Sequence, residues 1–109
     1  MLGSILLVAL ILGAHAVTRP SQISVLCYHQ LDSPAGSIYS IPSATFIWQM
    51  DTLKSLGYQT ISPQQYVNWL QGDSSTLPTK PILVTFDDNI ANAFPAAAVM
   101  KARGLAATM

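Results

Sequence analysis

The chain has 109 residues, which is room for one small domain or for part of a larger one. Half of the residues are hydrophobic, so the sequence can build a core and is not typical of a disordered protein. Five Lys and Arg residues balance five acids and there is one cysteine, which argues against a nucleic-acid surface, an internal disulfide framework and a cysteine-rich zinc site.

The N-terminus predicts a targeting segment. Residues 5–12, ILLVALIL, form an unbroken apolar run, and AHA at 14–16 fits the small-x-small pattern that signal peptidases recognise. We therefore predict a signal peptide over 1–16, cleaved after Ala16, and a linker over 17–22. The product is predicted to be exported, as a secreted, periplasmic or envelope-associated protein. The alternative is an uncleaved anchor, because no Lys or Arg precedes the apolar run, although that run is short for a span of about 20 residues.

The next segment predicts a strand, a loop and a helix. Residues 23–29, ISVLCYH, are a short apolar run typical of a buried strand. Residues 32–42 are rich in Asp, Ser, Pro and Gly and predict a loop. A helix is predicted over 44–56, with Ser43 as its N-cap and Gly57 as its stop. The apolar face of this helix carries Phe46, Met50 and Leu53.

A second strand and helix follow directly. The sequence YQTIS at 58–62 predicts a short strand. Ser62, Pro63 and Gln65 then form the pattern of a capping box, with an N-cap serine, a proline at the first helical position and a glutamine at the third. Gly72 is the predicted end of this helix.

The last third of the chain repeats the alternation. Residues 82–86, ILVTF, predict a third strand, a helix is predicted from near Pro95 to Arg103, and LAATM at 105–109 predicts the start of a fourth strand. Strands alternating with helices indicate an α/β fold with a parallel sheet. Because the chain stops inside an apolar run, we expect it to be part of a longer domain.

Two neighbouring carboxylates, Asp87 and Asp88, directly follow the third predicted strand. In parallel α/β folds the chemistry collects at the carboxyl ends of the strands. Adjacent carboxylates repel each other and are costly to bury without a partner, and a divalent cation is the usual partner. The alternative is a solvated turn in which Asp87 acts as a cap, since Asp and Asn are common in turns.

These residues carry a resemblance to a known family. LVTFDDN at 83–89 resembles the first motif of the polysaccharide deacetylases (the NodB-homology domain, or carbohydrate esterase family 4), which is usually Thr-Phe-Asp-Asp-Gly at the end of a barrel strand. The segments 25–29, 46–72 and 93–109 resemble the elements that flank that motif, in the same order. The resemblance implies that residues 23–109 are the truncated N-terminal part of a distorted, incomplete (β/α) barrel.

The resemblance also implies site roles. Asp87 would be the general base that activates water, and Asp88 would bind a divalent metal, commonly zinc, together with two histidines of a later His-Ser/Thr-x-x-His motif. The implied substrate is a polysaccharide of N-acetylglucosamine units (poly-N-acetylglucosamine, chitin or peptidoglycan). The resemblance implies no nucleic-acid partner and no known protein partner. No histidine follows Asp88, so we expect the chain to be inactive by itself. Asn89 replaces the usual glycine, and asparagine tolerates a positive φ.

Other residues and functions stay open. His29 ends the first predicted strand and is a candidate substrate contact, with a structural, hydrogen-bonded histidine as the alternative. Cys27 is predicted to be a small buried hydrophobe. The alternative functions are a non-catalytic carbohydrate-binding or structural relic of the same fold, and aspartate-based phosphoryl transfer. Phosphoryl transfer usually spaces its two acids by one residue, and Asn89 occupies the second position.

Overall fold

The computed structural model describes residues 19–33, 37–88 and 93–109. The predicted signal peptide, its cleavage site at Ala16 and the turn residue Asn89 lie outside these ranges, so all three stay predictions. Across the described ranges, no helix combines the length and the apolar character that a membrane span requires.

The described residues fold into short strands that alternate with helices, as predicted. The strands are β1 (Ser24–Tyr28), β2 (Gln30–Leu31), β3 (Ser40–Ile41), β4 (Gln59–Thr60) and β5 (Pro81–Phe86), and the helices are α1 (Ser43–Ser55), α2 (Pro63–Leu70) and α3 (Ala93–Lys101). The predicted α/β fold is confirmed. The pairing of β2 with β3 was not predicted, because two residues are too few to show a periodic pattern.

The main sheet is parallel and has the order β1-β5-β4. Strand β5 lies in the centre, and all of its residues except Thr85 are buried. A central parallel strand is covered on both faces, which is why its sequence, PILVTF, is almost continuously apolar rather than alternating. The register pairs Ser24 with Ile82 and runs evenly to Tyr28 and Phe86, so β1 and β5 end at the same level.

Two clusters of buried side chains hold the layers together. The larger cluster packs the sheet against α1 and α3, and the smaller one packs it near α2. The larger contains Leu31, Phe46, Met50, Val84, Phe86, Ala96, Met100 and Leu105. The smaller contains Ile23, Ile61 and Leu83, with Tyr66, Trp69 and Leu77 packed against it. The predicted apolar face of α1 is confirmed, since Phe46 and Met50 are fully buried and Leu53 packs on the larger cluster.

Helix α1 begins one residue earlier than predicted. Ser43 is its first residue, and the N-cap is Pro42, which has an extended backbone and no side-chain hydrogen bond. The carboxylate of Asp32 accepts a 2.8 Å hydrogen bond from the Ser43 backbone N–H. The prediction that Ser43 caps the helix is therefore wrong, because a residue from the preceding loop supplies the acceptor.

The predicted start of α2 and the predicted stops after α1 and α2 are confirmed, whereas α3 ends at Lys101, two residues earlier than predicted. Ser62 and Gln65 form a reciprocal capping box, with hydrogen bonds of 3.1 Å and 2.9 Å. Gly57 and Gly72 follow α1 and α2 with φ angles of +82° and +99°. A non-glycine residue would be strained in this left-handed conformation, so glycine is the natural stop at both positions.

The predicted fourth strand is represented by one bridge. Thr108 lies parallel to Thr85 and makes the hydrogen bonds of a ladder with the two neighbouring residues of β5. Its carbonyl accepts from the Phe86 N–H at 2.8 Å, and its N–H donates to the Val84 carbonyl at 2.9 Å. Thr108 thus lies beside β5, as expected, but the predicted segment does not form an extended strand within the described chain.

Candidate functional site

The carboxyl ends of β1 and β5 form one edge of the sheet. The backbone N–H of Asp87 donates a 2.8 Å hydrogen bond to the Tyr28 carbonyl, which extends the ladder one residue past the end of β5. Cys27 is the register partner of Thr85. Because the two strands run in step, His29 and Asp87 come level with each other just beyond this edge.

Strand alternation separates the side chains at this edge into two sets. Tyr28 and Phe86 belong to the face that packs on the core, where their rings stack at a centroid distance of 5.4 Å. Cys27, His29 and Asp87 belong to the opposite face. One potential ligand atom from each of these three residues (the Cys27 Sγ, a His29 ring nitrogen and an Asp87 carboxylate oxygen) lies within 4.8 Å of the other two. The structure therefore brings His29 to Asp87, the candidate base.

Cys27 is exposed, so the prediction that it is a buried hydrophobe is wrong. Its burial was inferred from the apolar run around it. In the structure Leu26 and Tyr28 pack on the larger cluster, and the smaller cluster buries Ile23 just before the start of β1 on the opposite face, but the Cys27 side chain near the end of the strand is left exposed. The thiol is therefore open to solvent beside His29 and Asp87.

Asp88 leaves the strand in a left-handed turn. Its φ angle is +70°, a conformation that Asp adopts more readily than most residues. The side chain is exposed and is not part of the group formed by Cys27, His29 and Asp87. The two neighbouring carboxylates thus occupy different places: Asp87 continues β5, whereas Asp88 begins the turn.

The five aspartates divide into two classes. Three of them have protein hydrogen-bond donors: Asp32 has the Ser43 N–H, Asp51 has Arg103 and Asp73 has Ser75. These hydrogen bonds hold the pKa of each of the three carboxyl groups below its usual value. In contrast, both motif aspartates are exposed, and neither carboxylate is hydrogen-bonded to a residue within the described ranges. The motif carboxylates are therefore available for a ligand.

A cleft of about 220 Å³ adjoins the His29 side of this edge. Its lining includes Cys27 and His29 from the site and Ile38 and Tyr39 from the loop before β3. Both loop residues are exposed, Ile38 by 86% and Tyr39 by 59%, and the Tyr39 ring lies 5.3 Å from the His29 ring at a tilt of 41°. Sequence reasoning missed Tyr39, although a tyrosine in a Ser-rich loop was a visible signal.

The chain is similar to known polysaccharide deacetylases. No family model matches the chain. It is 33% identical over 95 residues to YxkH of Bacillus subtilis (strain 168), a protein named as a polysaccharide deacetylase. The match covers 84% of this chain and 32% of YxkH, so the chain spans about a third of the length of this relative.

Solved structures give the same result. The structure of IcaB from Ammonifex degensii superposes with a TM-score of 0.64 at 35% identity, over 80% of this chain and 36% of IcaB. A de-N-acetylase from Aggregatibacter actinomycetemcomitans gives a TM-score of 0.65 at 28% identity, over 78% of this chain and 35% of that one. The deacetylase PplD of Streptococcus pyogenes, solved with acetate, gives 0.71 over 81% of this chain and 41% of PplD; at 22% identity this match shows the fold alone.

These matches confirm the resemblance that the LVTFDDN motif and its flanks indicated. They also confirm the fold class, since the chain has the architecture of part of a polysaccharide deacetylase barrel. The sheet edge that carries Asp87 and Asp88 is therefore the candidate active site.

Proposed function

We propose that Asp87 and Asp88 belong to the active site of a metal-dependent hydrolase that removes N-acetyl groups from a polysaccharide of N-acetylglucosamine units. The proposal starts from the confirmed resemblance to the polysaccharide deacetylases. The observation that carries it is the contrast among the aspartates. Asp87 and Asp88 are exposed at a strand end and have no hydrogen bond from a described residue, while the other three carboxylates are held by protein donors.

Asp87 is the proposed general base. Its backbone hydrogen bond to Tyr28 positions it at the end of β5, while its carboxylate stays free to accept a proton. In the reaction, a water oxygen bonds to the carbonyl carbon of the N-acetyl group and Asp87 takes the water proton. The C–N bond then breaks, the amine receives a proton, and the products are acetate and a glucosamine unit. A positioned base typically contributes about 10²- to 10⁴-fold to such a rate.

Asp88 is the proposed protein ligand to a divalent cation. A carboxylate oxygen is an ordinary zinc ligand, and the exposed Asp88 side chain has room for one, so this residue fits the group. The resemblance implies two histidine ligands later than Asp88, and this chain spans only about a third of the length of YxkH. When bound, the cation would supply Lewis-acid chemistry that polarises the acetyl carbonyl and acidifies water.

The proposed substrate site is the cleft beside His29. A sugar ring packs well against an exposed aromatic side chain that also carries a polar group, and Tyr39 offers such a surface next to the imidazole. We propose an exported protein, because its polymer substrate lies outside the cytoplasm and the N-terminus resembles a signal peptide. Poly-N-acetylglucosamine is the first polymer to test, followed by chitin and peptidoglycan.

The test is acetate release from N-acetylglucosamine oligomers by the complete protein that contains these residues. We expect release that is abolished by a metal chelator and restored by added zinc. Asp73→Asn is the matched control for substitution of the two motif aspartates, because it alters a carboxylate that accepts a hydrogen bond from Ser75 away from the strand end. Oligomer binding without acetate release, before and after zinc addition, would instead support the non-catalytic carbohydrate-binding alternative.

A further inference from the structure

The group formed by Cys27, His29 and Asp87 has the composition of a zinc site. It offers a thiol sulfur, an imidazole nitrogen and a carboxylate oxygen, which are the three ligand types that zinc accepts in proteins. Cys27 and Asp87 are exposed, and His29 is half-buried. The group lies on two neighbouring strands, so its backbone positions are held by the β1–β5 ladder.

The distances come close to those of a coordinated ion. With zinc–ligand bonds of about 2.0 to 2.3 Å and tetrahedral angles, two ligand atoms on one zinc ion lie about 3.3 to 3.8 Å apart. The three atoms here lie within 4.8 Å of one another without an ion. The largest separation therefore has to shorten by about 1 to 1.5 Å, which is within the reach of side-chain rotation at the exposed Cys27 and Asp87.

We propose that Cys27, His29 and Asp87 form a cation site for a thiophilic divalent metal such as zinc, separate from the Asp88 ligand of the deacetylase proposal. A thiolate ligand favours zinc over magnesium, calcium or manganese. Three protein ligands would leave one coordination position open to water or another small ligand. Binding converts the Cys27 thiol to a thiolate and releases its proton to solvent.

This site has a consequence for activity, which rests on the proposed function. Asp87 cannot accept a proton while its carboxylate is bound to a cation in this group. Zinc at the Cys27 site would therefore inhibit the deacetylase, even though zinc at Asp88 supports it. Raising the zinc concentration should first activate and then inhibit acetate release, and Cys27→Ser should remove the inhibitory phase.

The binding test uses cobalt in place of zinc, because a cobalt–thiolate bond gives a charge-transfer absorption in the near ultraviolet. We expect titration of the 109-residue chain with Co²⁺ to give this absorption with one ion per chain, and Zn²⁺ to abolish it by displacement. Cys27→Ser should remove the signal. His29→Ala and Asp87→Asn should weaken Co²⁺ binding by at least the roughly 10- to 100-fold that loss of an outer-shell partner of a metal ligand costs.

Asp88→Asn is the matched control, because it neutralises the neighbouring carboxylate, which is outside the group. It should leave the cobalt–thiolate signal unchanged. Loss of the signal in Asp88→Asn, or its absence in the unmodified chain, would overturn the proposed site. These outcomes are independent of acetate release, so failure of the cation site and failure of the deacetylase proposal can be told apart.

A second measurement needs no substitution. Cys27 is the only cysteine in the sequence, so the rate of alkylation by iodoacetamide reports on this thiol alone. We expect Zn²⁺ to slow alkylation in the folded chain and to have no effect in a urea concentration that unfolds it. Equal rates with and without Zn²⁺, or protection that persists in urea, would show that the folded strands do not form the site.

Discussion

The backbone N–H of Asp87 donates a 2.8 Å hydrogen bond to the carbonyl of Tyr28, and this bond joins the end of β5 to the end of β1. The contact involves main-chain atoms only. The Asp87 side chain can therefore be changed without removing the bond that positions it. This separation of backbone position from side-chain chemistry makes the role of Asp87 testable by substitution.

We expect the two motif aspartates to have separable roles in the complete protein. Asp87→Asn keeps the shape of the side chain and leaves Asp88 in place, so bound zinc should be retained. It cannot accept a proton, so acetate release should fall by about 10²- to 10⁴-fold. Asp88→Ala removes a proposed ligand and should lower both bound zinc and activity. Metal content by mass spectrometry and acetate release would be measured on both variants.

Two results would contradict these assignments. If Asp87→Asn loses its activating zinc, or if Asp88→Ala keeps both zinc and activity, the roles are assigned wrongly. If neither variant changes acetate release, the pair is a solvated turn and the deacetylase proposal fails. The metal measurement should be made at one zinc equivalent, so that the separate Cys27 site does not add to the count.

The buried and exposed faces of α1 give a stability prediction with an internal control. Phe46 is fully buried and meets Tyr28 edge-on at a centroid distance of 5.0 Å, so Phe46→Ala should cost about 3 to 5 kcal/mol of unfolding free energy. Trp48, two residues along the same helix, is 66% exposed. Trp48→Ala should change the free energy by no more than about 0.5 kcal/mol. Urea unfolding of both variants measures the difference, and equal losses would contradict the burial pattern.

The ion pair between Asp51 and Arg103 predicts a pH-dependent stability difference. Arg103 Nε donates to Asp51 Oδ1 at 2.5 Å, linking α1 to the turn after α3, and this hydrogen bond lowers the pKa of the Asp51 carboxyl. A carboxyl group whose pKa is lower in the folded state stabilises the protein at pH values above its unfolded pKa of about 3.9. This stabilisation is lost as the pH falls through the folded-state pKa. Asp51→Asn should therefore be less stable than the unmodified protein at pH 7 and equally stable in strong acid.

A second substitution controls for effects that do not involve the pair. The double variant Asp51→Asn, Arg103→Gln should lose less stability than the sum of the two single variants, because each single change already removes the same contact. The effect is small in either case, since both side chains are partly solvated and salt weakens the attraction. A stability difference at pH 7 that grows in acid would refute the assigned direction.

The N-terminal prediction is tested by sequencing the exported product. Cleavage after Ala16 should give a protein that begins at Val17. N-terminal sequencing of the secreted and membrane fractions measures this directly. Recovery of intact Met1 on a stably membrane-bound protein would support the alternative, in which the apolar run over 5–12 is an uncleaved anchor.

Local features of the chain could be predicted from the sequence by itself. The Ser62–Gln65 capping box and the stops at Gly57 and Gly72 depend on residues within one or two helical turns. A short stretch of sequence therefore determines them. The buried strand β5 was also predictable, because a central parallel strand needs apolar side chains on both faces. The Asp-Asp motif indicated the family for the same reason: its residues are contiguous.

Tertiary structure decided the features that depend on distant residues. The carboxylate of Asp32 accepts a hydrogen bond from the first backbone N–H of α1 across eleven residues, a contact that the local sequence around the helix start does not reveal. The exposure of Cys27 depends on how far along each face of β1 the core clusters extend, and an apolar run does not specify that extent. Likewise, Cys27 and His29 meet Asp87 only because the parallel register of β1 and β5 brings two separate segments level. Sequence spacing along one strand fixes which side chains share a face, but only the pairing of strands brings the ligand atoms of different strands together.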